Sequence, residues 1–563
     1  MYDDYETIVK NPYIKDLKYI PSYFDFRNNE MWSFHPSQRI FYRPMILTSL
    51  AFNYFISGLH PFSYHLFNLI LHLINVVLVY ATVKNIGRMI GPCESCRGLA
   101  LSASLLFACH PIQTETVSYV VSRSSLISTA FILCSFNSFV LAFKRDGLEK
   151  YLWRISSILC FVLSLLSKEI AIVVPLLMFS FAFVYLSHIK ENKVFIGSLR
   201  ISLPYFLLFA VYLFIRILLF NKAAFLSTQK ALFPYFLTAV KGLFIYLRLI
   251  VFPVGQTVDH HLPIIEKIWE ANAILGFAGF IGLILVSVFI VFPRSKCLFF
   301  GVAWFLIAML PNLILPTNEP VSEHTMYFPS IRCFLIAGLV AWKLWDSHIS
   351  GLKNSIMIPS VGFFMLIIVQ LGILTLNRNI VWNDSLQLWA DAVAKAPMKS
   401  RPHLNLGLAY VKAGKKDDAR REYRKAISID PQNYDAYNNL GLLFLYNGDY
   451  EAAQKAFEQS LRINGVNPDA LNNIGGVYVI KRELDKAVSV LEKVLQIRPK
   501  DFKVYSNLGW IYIQKGNLEM ACECLEKSIR LDPDYQASNR MYQEYCVKKE
   551  KDTGRLPKTL SRF

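Results

Sequence analysis

Over its first two thirds the chain alternates long apolar runs with short polar connectors, and then it changes to a regular mixture of polar and apolar positions. Runs approaching bilayer length, roughly 20 residues, fall at 63–86, 99–118, 122–143, 153–167, 170–188, 203–220, 273–293, 297–316, 332–346 and 356–375. They predict ten membrane crossings. An eleventh apolar segment, 235–253, carries Lys241 and Arg248. Basic residues follow the first run (Lys84, Arg88, Arg97), the third (Lys144, Arg145, Lys150, Arg154), the fifth (Lys190, Lys193, Arg200) and the seventh (Arg294, Lys296). The positive-inside rule places these four connectors in the cytoplasm. That phase survives only if 235–253 does not cross, so this segment is expected to be interfacial or re-entrant. The same parity puts residues 1–62, the His110–Arg123 hairpin, Lys168-Glu169, Asp259, Glu323 and the C-terminal third on the non-cytoplasmic side. Because nothing apolar precedes residues 1–62 to carry them across, an upstream transmembrane helix is expected.

The polar last third has a fixed period. The tetrads LNLG, NNLG, NNIG and SNLG end at Gly407, Gly441, Gly475 and Gly509, and Ala419, Ala453, Ala487 and Ala521 repeat at the same interval. Pro431, Pro499 and Pro533 close repeats in phase. This is the tetratricopeptide period of 34 residues, in which small residues let two antiparallel helices approach and Pro stops the second. The fold class is therefore all-α, a polytopic membrane helical bundle followed by a tetratricopeptide-repeat α-solenoid. The predicted domains are a non-cytoplasmic first loop at 1–62, a transmembrane domain at 63–376, a connector at 377–397, four repeats at 398–545 and a basic tail at 546–563. Such an array presents a concave face, and binding of a peptide or protein there is expected.

Composition agrees with the membrane reading: 54% hydrophobic residues and a mean hydropathy of +0.35 are too apolar for an ordinary soluble chain. The net charge of +18 could point to nucleic acid, but from Asn383 onward 29 Lys/Arg meet 23 Asp/Glu, so only +6 belongs to the polar end. The remaining +12 sits in the apolar part, where it marks sidedness, and no nucleic-acid partner is expected. The ten cysteines show no disulfide spacing. Cys93 and Cys96 form a C-x-x-C without the two further ligands that a tetrahedral zinc site requires, so no metal is expected. Cys522 and Cys524 read as packing residues of a repeat helix.

Charged and imidazole groups at membrane depth are costly and are functional candidates by default. The topology gathers Asp3, Asp4, Arg43, His110, Glu115, Arg123, Lys168, Glu169, Asp259, His260, His261, Glu323 and His324 on the outer side. Carboxylates beside Arg and Lys suit sugar transfer from a lipid phosphate. A carboxylate can take the proton of an attacking hydroxyl, and a cation can stabilise the departing phosphate. Taken singly, each could be a helix-end ion pair. His60, His65, His72 and Asn75 share one helix and are expected to bond between helices.

The strings Y-D-D-Y-E-T-I-V-K-N-P, Y-R-P-M-x-L-T, H-P-F-S-Y-H-L-F-N, F-A-C-H-P-I-Q-T-E-T-V-S-Y-V-V-S-R-S, S-K-E-I, E-H-T-M-Y-F-P-S and R-N-I-V-W-N-D-S-L-Q-L-W resemble the TMTC family of transmembrane and tetratricopeptide-repeat O-mannosyltransferases, in order and nearly end to end. The resemblance implies a GT-C glycosyltransferase fold with about eleven transmembrane helices, no cofactor beyond a polyprenyl-phosphate mannose co-substrate, and Ser or Thr hydroxyls of a protein acceptor. It implies Asp3 as base with Asp4 supporting, and Arg123, Lys168 and Arg43 at the donor phosphate. His110, Glu115, Glu169, Asp259, Glu323 and His324 are further site candidates. Two departures bear on the sugar: Ser122-Arg123-Ser124 stands where Gly-Arg-Ala is expected, and His324 stands where the family often has Arg. The resemblance further implies an integral membrane protein of the cytoplasmic or endoplasmic reticulum membrane. Two competing readings remain: a non-catalytic membrane scaffold for envelope or secretion assembly, and a GT-C enzyme acting on polysaccharide or lipid.

Overall fold

The computed structural model describes residues 5–9, 11–25, 42–90, 96–220, 232–265, 269–317, 319–338 and 357–547, and every regular element among them is helical. The chain divides into two units, Met1–Asp391 and Ala392–Phe563.

In the first unit eight helical stretches are long and apolar enough to cross a membrane: Pro61–Ile90, Val120–Ala142, Glu169–His188, Val194–Leu218, Leu232–Val251, Ala273–Arg294, Lys296–Ile314 and Gly362–Asn383. The chain is a multi-pass membrane protein. Three predicted crossings differ from this set. The run 99–118 breaks after a helix of only 13 residues, Arg97–Cys109, because Pro111 excludes the α conformation from His110, which turns extended at φ −75°, ψ 129°. The run 153–167 lies in the helix Gly147–Leu165, whose first turns carry Glu149, Lys150 and Arg154. The run 332–346 is described only to residue 338, within a helix over 330–338. Conversely, Leu232–Val251 has the length and apolarity of a span, and it packs through Tyr235, Val240, Leu243, Tyr246 and Leu249. Composition therefore does not confine it to the interface. The first loop also holds an unpredicted helix, Pro44–Ser57.

Burial orders the bundle. In Val120–Ala142, 78% of the apolar window is buried, against 11% in Ala273–Arg294 and in Gly362–Asn383, so the first is central and the other two are lipid-facing. Serines let the central helix approach its neighbours closely, as small residues do in membranes. Ser135 Oγ donates to the Ser157 carbonyl (2.8 Å), Ser157 Oγ donates to that of Ser135 (2.7 Å), and Ser157 meets the Tyr205 hydroxyl at 2.6 Å. Of the four polar residues expected on one helix, His60 lies just before Pro61–Ile90, whereas His72 and Asn75 do bond between helices: His72 Nδ1 lies 2.7 Å from Tyr327 Oη, and Asn75 donates to the Leu126 carbonyl at 3.0 Å. The first described residues join a separate apolar cluster, where Ile8, Ile14 and Tyr23 pack with Tyr42, Ile46, Leu50 and Val120.

The second unit stacks helix pairs Ser400–Lys412 with Lys416–Ile429, Tyr434–Tyr446 with Tyr450–Ile463, Pro468–Ile480 with Leu484–Ile497, and Phe502–Gln514 with Leu518–Leu531, closed by Gln536–Met541. The periodic glycines are needed for close approach. A Cβ on Gly441 would stand 2.7 Å from the Phe457 ring, and one on Gly509 would stand 2.7 Å from Leu525 Cγ. The expectation for Cys522 is corrected: it is disulfide-bonded to Cys546, while Cys524 is free and buried. Cys96 is also disulfide-bonded, and Cys93 lies outside the described residues.

Candidate functional site

Asp3 and Asp4 lie outside the described residues. The other candidates fall into three groups.

The first is cationic. Arg43, just before the Pro44–Ser57 helix, grips Glu169 with two nitrogens, Nε at 3.1 Å and Nη2 at 2.6 Å from Oε2. Arg216, deep in the Val194–Phe220 helix, reaches the other oxygen of Glu169 at 3.1 Å and donates to the Tyr212 hydroxyl at 2.6 Å. Lys168 donates to Ser125 Oγ at 2.6 Å. Two arginines thus meet one carboxylate, with Lys168 adjacent to it in sequence. Burial, reinforced by the Arg43 charge, pulls the Lys168 ammonium down to about 7 against the opposing pull of Glu169 and Glu115. An ammonium so depressed regains its proton when an anion arrives beside it.

The second group is built by the broken helix. The turn Pro111–Gln113 and the helix Thr114–Ser118 present Glu115, whose Oε1 lies 2.8 Å from His324 Nδ1, and that nitrogen also lies 2.8 Å from Ser322 Oγ. Next to His324 in sequence, Glu323 accepts from the Thr257 amide (2.7 Å) and pairs with His260 Nε2 (3.1 Å). Tyr246 fixes the 322–325 turn, accepting from the Ser322 amide at 2.7 Å and lying 2.7 Å from Thr325 Oγ1. Burial works to raise the Glu115 carboxyl, but the His324 charge, with Arg378 and His260 behind it, holds it below the ordinary carboxylate range. Asp259 is fully buried, with its amide on Thr257 Oγ1 at 3.4 Å.

The third group comprises Arg123 and His110. Arg123 is fully buried, and its guanidinium donates to Asn68 Oδ1 at 2.8 Å, to Asn53 Oδ1 at 2.9 Å, and to the Tyr64 and Ser49 carbonyls at 3.0 and 3.4 Å. It stacks over Phe67 at 4.6 Å. This geometry clamps Pro44–Ser57 to Pro61–Ile90. His110 is likewise tied at both nitrogens, Nε2 to the Ile250 carbonyl (3.0 Å) and Nδ1 to the Ile112 amide (3.2 Å).

Sequence reading missed Arg216 and Arg378, each a lone cation in or beside an apolar run, the signal that default suspicion of intramembrane charge picks out. Arg378 is 6% exposed and donates to Asp391 at 2.9 Å. Among the described residues no group of three or more His, Cys, Asp or Glu is placed to hold a metal ion.

Family models for tetratricopeptide repeats match residues 407–448, 438–502 and 502–535. Over the longer span, a Caenorhabditis elegans protein O-mannosyl-transferase, F38B6.6, is 26% identical across 77% of this chain and 60% of its own. The chain is similar in sequence to the TMTC proteins along three quarters of its length. Human protein O-mannosyl-transferases TMTC1 and TMTC4 match at 24% and 26% identity, over 77% and 75% of this chain and 53% and 62% of theirs. The chain thus spans between half and two thirds of the length of these three relatives. Among solved structures, MamA matches at 26% identity over 26% of this chain and 86% of its own, with a TM-score of 0.25.

Proposed function

We propose that the protein is a membrane glycosyltransferase that moves mannose from a polyprenyl-phosphate donor to Ser or Thr hydroxyls of a protein acceptor. The observation that carries the reading is the buried cationic group in which Arg43 and Arg216 both pair with the Glu169 carboxylate and Lys168, the preceding residue, bonds Ser125 Oγ, in a chain related to O-mannosyl-transferases over three quarters of its length. Bond breaking at the anomeric carbon leaves negative charge on the departing polyprenyl phosphate, and fixed cations lower that barrier without reorganising. Lys168 and Arg43 are the groups assigned to the phosphate. Arg123, which donates to the Asn68 and Asn53 side chains, is assigned to joining the helices Pro44–Ser57 and Pro61–Ile90.

Asp3, with Asp4 beside it, is assigned as the base that takes the acceptor hydroxyl's proton as the oxygen attacks. In sequence the pair precedes the described segment that packs against the Pro44–Ser57 helix, which follows directly on Arg43. The site would face the non-cytoplasmic side, and the repeats would bring acceptor or partner protein to it. The test is transfer of radiolabelled mannose from polyprenyl-phosphate mannose to Ser/Thr peptides by the full-length protein in detergent, with Lys168→Met and Asp3→Asn in parallel. Transfer lost in both variants, with folding retained, supports the reading. Transfer that survives in both overturns the assigned roles.

A further inference from the structure

The Glu115–Glu323 group contains several buried polar atoms that the described residues do not engage. Among the described residues, Glu115 Oε2, Glu323 Oε2 and Gln113 Oε1 have no hydrogen-bond partner, nor do Nε and Nη2 of Arg378. Glu115 is 4% exposed, Glu323 1%, Gln113 2% and Arg378 6%. Leaving one such group unsatisfied costs about 1–3 kcal/mol, more when it is charged, so a cluster of them is expensive unless something else completes their bonds.

These groups belong together. The turn bearing Gln113 and the helix bearing Glu115 both pack against the 323–326 turn, and the helix Met357–Asn383, which bears Arg378, packs against both. The Arg378 charge acts on Glu115. The cluster opens to solvent through His324, whose side chain is 30% exposed beside a Glu115 that is 5% exposed. What completes it must donate to two carboxylates and an amide oxygen and accept from a guanidinium. A phosphate cannot donate, and two carboxylates repel it. A neutral polyol satisfies every requirement, because each hydroxyl both donates and accepts.

We infer that Glu115, Glu323 and Arg378, held by His324 and His260, form the pocket for the hexose ring of the donor, separate from the cations that hold its phosphate. This rests on the glycosyltransferase reading and deepens it. The division is charge-based: the anionic part of the donor meets Arg43 and Lys168, and the neutral ring meets the carboxylates. The Glu115 charge reaches Lys168, as neighbouring halves of one site would.

The test is equilibrium binding of two lipids to the full-length protein in detergent: polyprenyl-phosphate mannose, and polyprenyl methyl phosphate, which keeps the single negative charge and lacks the sugar. The wild type should prefer the mannosyl lipid. Glu323→Gln, which still offers an oxygen to the Thr257 amide, should reduce that preference about tenfold or more, the value of a hydroxyl bond to a charged acceptor. Glu115→Gln should do the same and serves if Glu323→Gln melts early. Lys168→Met should weaken both lipids and leave the preference in place. If the wild type binds both lipids equally, or if the glutamine variants weaken both alike, the sugar pocket is refuted and the phosphate site stands. If the wild type binds neither lipid, the glycosyltransferase reading falls and the pocket with it.

Discussion

The disulfide between Cys522 and Cys546 makes a quantitative prediction about the repeat unit. It ties Leu518–Leu531 to the chain after Gln536–Met541, closing a loop with a sequence separation of 24. Restricting an unfolded loop of that length is worth about 3.5 kcal/mol on the chain-entropy model. The folded contacts it supplements include the Ser528 and Ser538 hydroxyls, which meet at 2.7 Å, and Tyr542, which donates to Glu526 at 3.1 Å. Because terminal repeats lack a neighbour on one side, most of the loss should appear as local opening of the last pair. Cys546→Ser should therefore expose Leu518–Leu531 to limited proteolysis well before the first three repeats, and should lower the first thermal transition of the full-length protein by roughly 5–10 °C. Non-reducing peptide mapping should show the 522–546 linkage in the wild type and a free Cys524. An unchanged transition and cleavage pattern in Cys546→Ser, or 522 and 546 recovered as free thiols, would refute the reasoning.

Other positions give independent checks. Arg482 holds φ +64° at the position where the other repeats place Gly414, Gly448 and Gly516 at φ +74°, +79° and +75°. Arg482→Gly should thus stabilise the third repeat by about 1 kcal/mol, seen as a higher denaturation midpoint. Arg123→Ala removes the donor from four buried oxygens and should cost about 3 kcal/mol or more, while donor affinity per folded molecule changes by less than about threefold. With its ammonium near 7, Lys168 is charged below that pH and loses its charge as pH rises through it. Donor affinity should accordingly weaken by up to about tenfold per pH unit above 7, and Lys168→Met should flatten that profile.

Periodic features were legible in the sequence. The 34-residue recurrence of Gly407, Gly441, Gly475 and Gly509 reports helix pairs directly because each glycine faces a bulky partner 16 residues on, Tyr423, Phe457, Leu491 or Leu525. Apolar run length reported most spans because composition sets membrane crossing. The break at His110-Pro111 was readable in principle, but a hydropathy window averages across a single proline. Ion pairs such as Glu115 with His324, 209 residues apart, leave no local trace in one sequence. Cys522 and Cys524 illustrate the same limit: two residues apart on one helix they face different ways, so one meets Cys546 and the other the core.

The most direct test of the central claim is mannose transfer by the full-length protein from polyprenyl-phosphate mannose to Ser/Thr peptides, with Lys168→Met and Asp3→Asn as controls. The account predicts labelled peptide from the wild type and loss of at least about 100-fold in each variant, with thermal transitions preserved. No labelled peptide from folded wild-type protein across sugar donors and acceptors would contradict it.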